Sequence, residues 1–237
     1  MGRAFEFRKA RKLKRWGKMA VTFTRIGKEI AMAVKEGGPD PDNNSRLRMA
    51  IQNAKSENMP KDRIESAIKR ASDKDSSNYD EILYEGKGPY GIGLIIETAT
   101  DNINRTVANI RAIFRKNGGE LGTSGSQEFG FDRKCIFRIN IEAHDLEELE
   151  LELIDFGCEE IEQVEDETLI YTAFTDFGNM QKGLESLGVE IVSVDKERIP
   201  LNTVKLTPEQ EEEVNNLIEK LEEDEDVQNV FHNLESN

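Results

Sequence analysis

Gly86-Lys87-Gly88-Pro89-Tyr90-Gly91 spells G-x-G-x-x-G, the pattern of a loop that cradles a dinucleotide pyrophosphate. That chemistry needs a strand before the glycines and a helix N-terminus after them, so that backbone N–H groups and the helix dipole face the phosphates. Here a strand-like apolar run at 92–98 follows the glycines, and Pro89 removes a donor. The segment reads as a glycine-rich turn. Asp-Phe-Gly, the magnesium-holding triplet of protein kinases, occurs at 155–157 and again at 176–178. Phosphoryl transfer by that route also requires a strand lysine, a His-Arg-Asp loop and a metal-binding asparagine. The only histidines, His144 and His232, are not followed by Arg-Asp. Gly157 reads as a helix stop and Asp176 as a helix N-cap. Cys135, Cys158, His144 and His232 lack the paired spacing of metal ligands. Carboxylates are so abundant between 142 and 226 that no acid–base pair stands out. No catalytic residue, metal site or cofactor is expected.

Charge points to a different chemistry. Residues 1–75 carry 19 Lys and Arg against 10 Asp and Glu, whereas the remaining residues carry 13 against 37, so a chain of net charge −15 has a basic N-terminal third. The first 28 residues hold ten cations and one acid, Glu6. A basic arm on an acidic protein meets a polyanion, because each Lys or Arg near a phosphate releases condensed counterions. The expected phosphate contacts are Arg8, Lys9, Arg11, Lys12, Lys14, Arg15, Lys18, Arg25 and Lys28. Arg46, Arg48, Lys55, Lys61, Lys69 and Arg70 join them from positions off the apolar helix stripes.

Those cations must be held by helices. Phe23, Ile26, Ile30 and Val34 recur at three and four residues until Gly37-Gly38-Pro39. Leu47, Ala50, Ile51 and Ala54 mark a second helix behind the capping-prone Asp42-Asn43-Asn44-Ser45. Pro60 opens a third with Ile64, Ala67, Ile68 and Ala71 inside. Short connections predict an antiparallel bundle. A polar linker at 72–78 leads to a strand at 92–98, a helix at 102–116 and a short strand in which Phe129 and Phe131 alternate. The stretch 134–199 then reads strand-helix-strand-strand-helix-strand, the ferredoxin-like split unit. A strand at 202–206, a helix opened by the capping box Thr207-Pro208-Glu209-Gln210 and a strand at 227–231 follow. The fold class is therefore multidomain α+β. Its parts are a basic arm (1–19), a helical bundle (20–75), a discontinuous α+β domain (79–133 and 200–237), and an inserted ferredoxin-like βαββαβ domain (134–199).

Two cysteines without a disulfide framework suit a reducing cytoplasm. The longest aliphatic run, Leu94-Ile95-Ile96, is far short of a membrane span, and the charged N-terminal stretch has no apolar core behind it. No membrane partner is expected.

Several stretches carry a family resemblance: Asn58-Met59-Pro60-Lys61-Asp62-Arg63-Ile64, Tyr84-Glu85-Gly86-Lys87-Gly88-Pro89, Thr100-Asp101-Asn102-Ile103-Asn104-Arg105-Thr106, and Gly118-Gly119-Glu120-Leu121-Gly122-Thr123-Ser124-Gly125-Ser126. From about residue 17 to 237 the chain resembles the YebC family. The resemblance implies the three-domain layout just read from the residues, no enzymatic activity, and a role as a DNA-binding transcriptional regulator or a ribosome-associated translation factor. At the start, Gly2-Arg3-Ala4-Phe5-Glu6-Phe7 replaces the Gly-His-Ser-Lys-Trp opening of many members, with Trp16 further along. Within Asp101, Asn102, Asn104, Arg105 and Thr106, the first three are side chains able to accept backbone N–H bonds at a helix start, which makes this motif a structural one.

The reading is a nucleic-acid-binding regulator of gene expression acting on DNA. The alternative is a ribosomal-RNA-associated translation factor whose acidic faces meet the ribosome or other proteins. A further alternative is a ligand-sensing regulator working through its ferredoxin-like domain.

Overall fold

Apolar residues at helical spacing fold the N-terminal third into α1 (Met19–Gly37), α2 (Ser45–Ser56) and α3 (Lys61–Ser72), which close on a core holding Ile30, Leu47, Ala54 and Ile64. The computed structural model describes residues 19–73, 78–141, 145–164 and 167–235. Asn44 sets the turn between α1 and α2. Its Oδ1 accepts from the Leu47 N–H at 3.0 Å, and its Nδ2 donates to the carbonyls of Ala33 at 2.7 Å and Gly38 at 2.8 Å. A Cβ on Gly37 would lie 2.8 Å from that amide, so only glycine fits there.

The second unit is a four-stranded antiparallel sheet ordered β3-β1-β2-β8, built from β1 (Asp80–Lys87), β2 (Gly93–Thr100), β3 (Glu120–Leu121) and β8 (Val227–His232). Helices α4 (Ile103–Lys116) and α7 (Pro208–Glu222) cover one face, burying Leu94, Ile96, Ile110, Phe114, Leu217 and Leu221. The capping box at Thr207 is formed with Gln210. The structure adds β1, which sequence reasoning did not find, so the glycine-rich segment is the connection of a β-hairpin. A 3₁₀ turn, Pro89–Gly91, closes it with the Gly88 N–H on the Ile92 carbonyl at 2.8 Å.

The third unit is an antiparallel sheet ordered β5-β6-β4-β7, with β4 (Phe131–Asn140), β5 (Cys158–Val164), β6 (Glu167–Ala173) and β7 (Glu190–Pro200). Helices α5 (Leu146–Ile154) and α6 (Phe177–Ser186) lie over a core of Phe137, Ile139, Leu153, Ile170, Met180 and Leu184. Strand order and helix placement are those of a ferredoxin-like domain, inserted between α4 and α7 of the second unit.

Two expected strands take other forms. Phe129 sits in a 3₁₀ turn, Glu128–Gly130, and is 79% exposed, and β4 starts only at Phe131. The strand expected at 202–206 reduces to one bridge, Val204 to Leu234, because β7 uses its pairing on β4 up to Pro200.

Both Asp-Phe-Gly copies are packing devices. Gly157 ends the α5 turn at φ +91°, and the Asp176 side chain lies where its Cβ would be, at 2.8 Å. Asp176 takes the N-cap position of α6, as expected, but makes no side-chain capping bond there, and a 3₁₀ turn at Phe174–Asp176 leads into the helix.

Candidate nucleic-acid interface and the junction that carries it

The fifteen cations expected at phosphates divide into three sets. Arg8, Lys9, Arg11, Lys12, Lys14, Arg15 and Lys18 lie outside the described residues. Lys55 at the end of α2 and Lys61, Lys69 and Arg70 on α3 are exposed. Lys61 meets Glu65 only at 3.7 Å with its side chain 89% exposed, a pair of little energetic weight. Arg70 Nε donates to the Ser66 carbonyl of its own helix at 3.3 Å. These four side chains are open to a polyanion.

The remaining four point into the protein. Arg46 binds Glu36 on α1 and Glu81 on β1, each at 2.6 Å; burial alone would lower its pKa, but the two carboxylates raise it. Arg48 donates to the Pro41 carbonyl at 2.9 Å and to Glu185 of α6 at 3.1 Å. Arg25 donates to the Glu222 carbonyl at the end of α7 at 2.8 Å. Lys28 corrects the sequence expectation outright. It is 8% exposed, and its ammonium donates to Asp226 Oδ1 at 2.9 Å and to the carbonyls of Ala99 at 2.9 Å and Glu225 at 2.8 Å. All three ammonium donors are occupied, and no phosphate can reach it without breaking the junction.

Asp226 is the centre of that junction. Its Oδ2 accepts from Arg105 at 2.8 Å, from Thr106 Oγ1 at 2.7 Å and from Thr100 Oγ1 at 3.2 Å. Burial pushes its pKa up, yet the bonds from Arg105, Lys28 and Thr106 outweigh it and hold the carboxyl at about 2. Sequence reasoning missed Asp226, because one carboxylate in the run Asp224-Glu225-Asp226 has no distinguishing mark.

The motif at 101–106 therefore does two jobs. Asn102 caps α4 by accepting from the Arg105 N–H at 3.1 Å. Asp101 accepts from the Arg105 guanidinium at 2.8 Å rather than from a backbone N–H, and orients it toward Asp226. Thr106 joins Thr100 at 2.7 Å inside the network. Asn104 is exposed.

A second contact clasps the bundle to the ferredoxin-like domain. The Asn53 amide donates to the Val194 carbonyl and accepts from the Val194 N–H, both at 2.8 Å. β7 is an edge strand, and Asn53 takes the place of a neighbouring strand there. Met49, one turn earlier on α2, is buried in the ferredoxin-like core. Elsewhere Glu85, 2% exposed, accepts from the N–H groups of Gly125, Gln127 and Glu128 at 2.5–3.0 Å and pins the glycine- and serine-rich loop that follows β3.

Burial raises both thiols, Cys135 and Cys158, to about 11, which keeps them protonated and unreactive. Among the described residues no group of three or more His, Cys, Asp or Glu could hold a metal ion, and no helix is long and apolar enough to cross a membrane.

Fold and site together define a class: a multidomain α+β protein whose helical bundle carries exposed cations at Lys55, Lys61, Lys69 and Arg70 and is fastened to the other two units through Lys28, Asp226 and Asn53. Within that class, the chain belongs to the TACO1/YebC family. The model of the family's N-terminal domain matches residues 3–74, and that of its second and third domain matches residues 79–234. A protein of Flavobacterium johnsoniae is 63% identical, covering 99% of each chain, and one of Parabacteroides distasonis is 61% identical over 99% of this chain and 97% of its own. One of Myxococcus xanthus is 52% identical over 99% of this chain and its own full length. All three are named probable transcriptional regulatory proteins. The crystal structure of a conserved hypothetical protein from Aquifex aeolicus superposes with a TM-score of 0.74 at 36% identity, covering 92% of this chain and 90% of that one.

Proposed function

We propose that this protein is a non-enzymatic, cytoplasmic regulator of gene expression that binds DNA through its basic N-terminal third. The carrying observation is the division of labour among its cations. Lys55, Lys61, Lys69 and Arg70 stay solvated on α2 and α3, on the bundle into which the basic arm leads, while Arg25, Lys28, Arg46 and Arg48 fasten that bundle to the body. Phosphate contacts of this kind supply affinity and position without reading sequence. The relatives' names favour transcription as the process.

A second reading, binding to ribosomal RNA, is favoured by the acidic body. Glu147, Glu148, Glu150 and Glu152, exposed on α5, form an anionic surface that repels a duplex and suits basic ribosomal proteins. Ultraviolet crosslinking in cells, followed by sequencing of the recovered nucleic acid, separates the two. Recovery of promoter fragments supports the first reading; ribosomal RNA without DNA replaces it with the second.

A further inference from the structure

Where the three units meet, a cleft of about 700 Å³ opens between α1, α2, β2, β8 and one edge of the ferredoxin-like sheet. That volume is in the range of small-molecule sites. One wall carries an arrangement that folding alone does not favour. Arg133 on β4 and Arg198 on β7 are directly paired across the strands, and Lys196 follows on the same face of β7. Like charges placed opposite one another destabilise a sheet. Glu97 at 3.1 Å and Glu128 at 3.6 Å take up Arg198. Among the described residues no carboxylate lies within ion-pair distance of Arg133 or Lys196. Arg133 instead lies over the Phe174 ring, its guanidinium carbon 3.3 Å from the ring centroid. Burial and then the neighbouring Arg198 push the Arg133 pKa down, against the opposing pull of Glu97 and Glu128.

The opposite wall supplies a second, independent observation. Gln228 sits at the irregularity in the β2–β8 pairing and is 7% exposed, yet neither its amide oxygen nor its amide nitrogen has a hydrogen-bond partner among the described residues. Ser193 Oγ, 3% exposed on β7, is likewise without one. Buried amides are almost always paired, so an orphan lining a cleft calls for a ligand with a matching edge. A side-chain amide offers a donor beside an acceptor, the pattern that pairs with the edge of a nucleobase. A guanidinium held against an aromatic ring is a stacking platform for a base, and the unpaired Lys196 ammonium beside it suits a phosphate.

We propose that this cleft binds a nucleotide unit, with its base on the Arg133–Phe174 stack, its edge read by Gln228, and its phosphate at Lys196. The unit is either a free mononucleotide or the end of a strand. The site is separate from the phosphate-binding arm and does not depend on it.

Titration of the full-length protein with AMP, GMP, CMP and UMP, and in parallel with 5′-phosphorylated tetranucleotides of the four bases, tests the site by calorimetry and by amide chemical shifts. Saturable binding of at least one probe is expected, with shifts centred on Arg133, Ser193 and Gln228. Arg133→Met and Gln228→Leu should each weaken it about tenfold or more. Gln228→Leu should at the same time leave the Tm of the unliganded protein unchanged or higher, which separates loss of ligand from loss of fold. Replacing Lys9, Arg11, Lys12, Lys14 and Arg15 with Ala should leave mononucleotide affinity unchanged. Binding of mononucleotides identifies a free ligand; binding of tetranucleotides alone, still abolished in both cleft variants, identifies a strand end. No saturable binding at millimolar probe, or binding that survives both cleft variants or disappears with the arm charges, overturns the proposal.

Discussion

The ammonium of Lys28 lies 2.9 Å from the Asp226 carboxylate, joining the first helix of the bundle to a residue 198 positions further along the chain. Both side chains are less than a tenth exposed. The pair turns what looks like one more phosphate-binding lysine into the fastening between the bundle and the second unit.

Replacing Lys28 with Met should therefore destabilise the protein while leaving nucleic-acid affinity per folded molecule nearly unchanged. Removing one partner of a buried pair leaves the other charge uncompensated, at a cost of ~3 kcal/mol, reduced here because Arg105 and Thr106 still bind Asp226. Urea unfolding of Lys28→Met, Asp226→Asn and the double variant checks this. A double-mutant coupling near zero would contradict the fastening role.

The same carboxylate makes stability depend on acid. Asp226 has its pKa lowered from 3.8 to about 2 on folding, so its contribution is complete above the unfolded value and is lost as pH falls through the folded one. The affected window runs from about pH 4 down to about pH 2, and the contribution amounts to ~2 kcal/mol. Comparing unfolding free energies of the natural protein and Asp226→Asn across that window should show the difference between them shrinking toward low pH.

Lys55, Lys61, Lys69 and Arg70 should act on binding rather than on stability, because they are solvated. Their joint replacement by Ala should reduce the slope of log K against log salt by about 0.9 for each duplex-DNA phosphate that is no longer neutralised, or ~0.7 on single strands. The arm variant with Lys9, Arg11, Lys12, Lys14 and Arg15 replaced should flatten the slope further. Fluorescence anisotropy over a salt series measures both, and slopes unchanged from the natural protein would remove these side chains from the interface.

Asn53→Leu should loosen the bundle from the ferredoxin-like domain. It deletes both bonds to Val194 and leaves a buried carbonyl and N–H unpaired, at ~1–3 kcal/mol. Hydrogen exchange at the Val194 amide should speed up well beyond that of β6, whose ladder on β4 does not involve Asn53.

Local information was enough for much of this molecule. The 3.6-residue stripes of α1, α2 and α3, the caps at Asn44 and Thr207, and the alternation along β4 to β7 all express short-range preferences that survive burial, so bundle and ferredoxin-like unit were legible. Strand β1 was not, because its strand-favouring Ile82-Leu83-Tyr84 is short and lies between Asp80-Glu81 and Glu85-Gly86-Lys87, residue types depleted in strands. It pairs only because β2 and β3 flank it, with Phe114 packed where Gly86 has no side chain. Phe129 failed the opposite way: an aromatic residue in alternation with Phe131 still lies on a turn, exposed. The charge asymmetry was read from sequence alone, and it separates the basic third from the acidic body whatever the fold. Which cations remain free was decided only by tertiary structure. Lys28 and Lys55 are equivalent as residues, yet one meets Asp226 across nearly the whole chain and the other meets solvent. A long-range ion pair leaves no periodic trace in sequence, because its partners are brought together by the packing of units whose own patterns do not encode it.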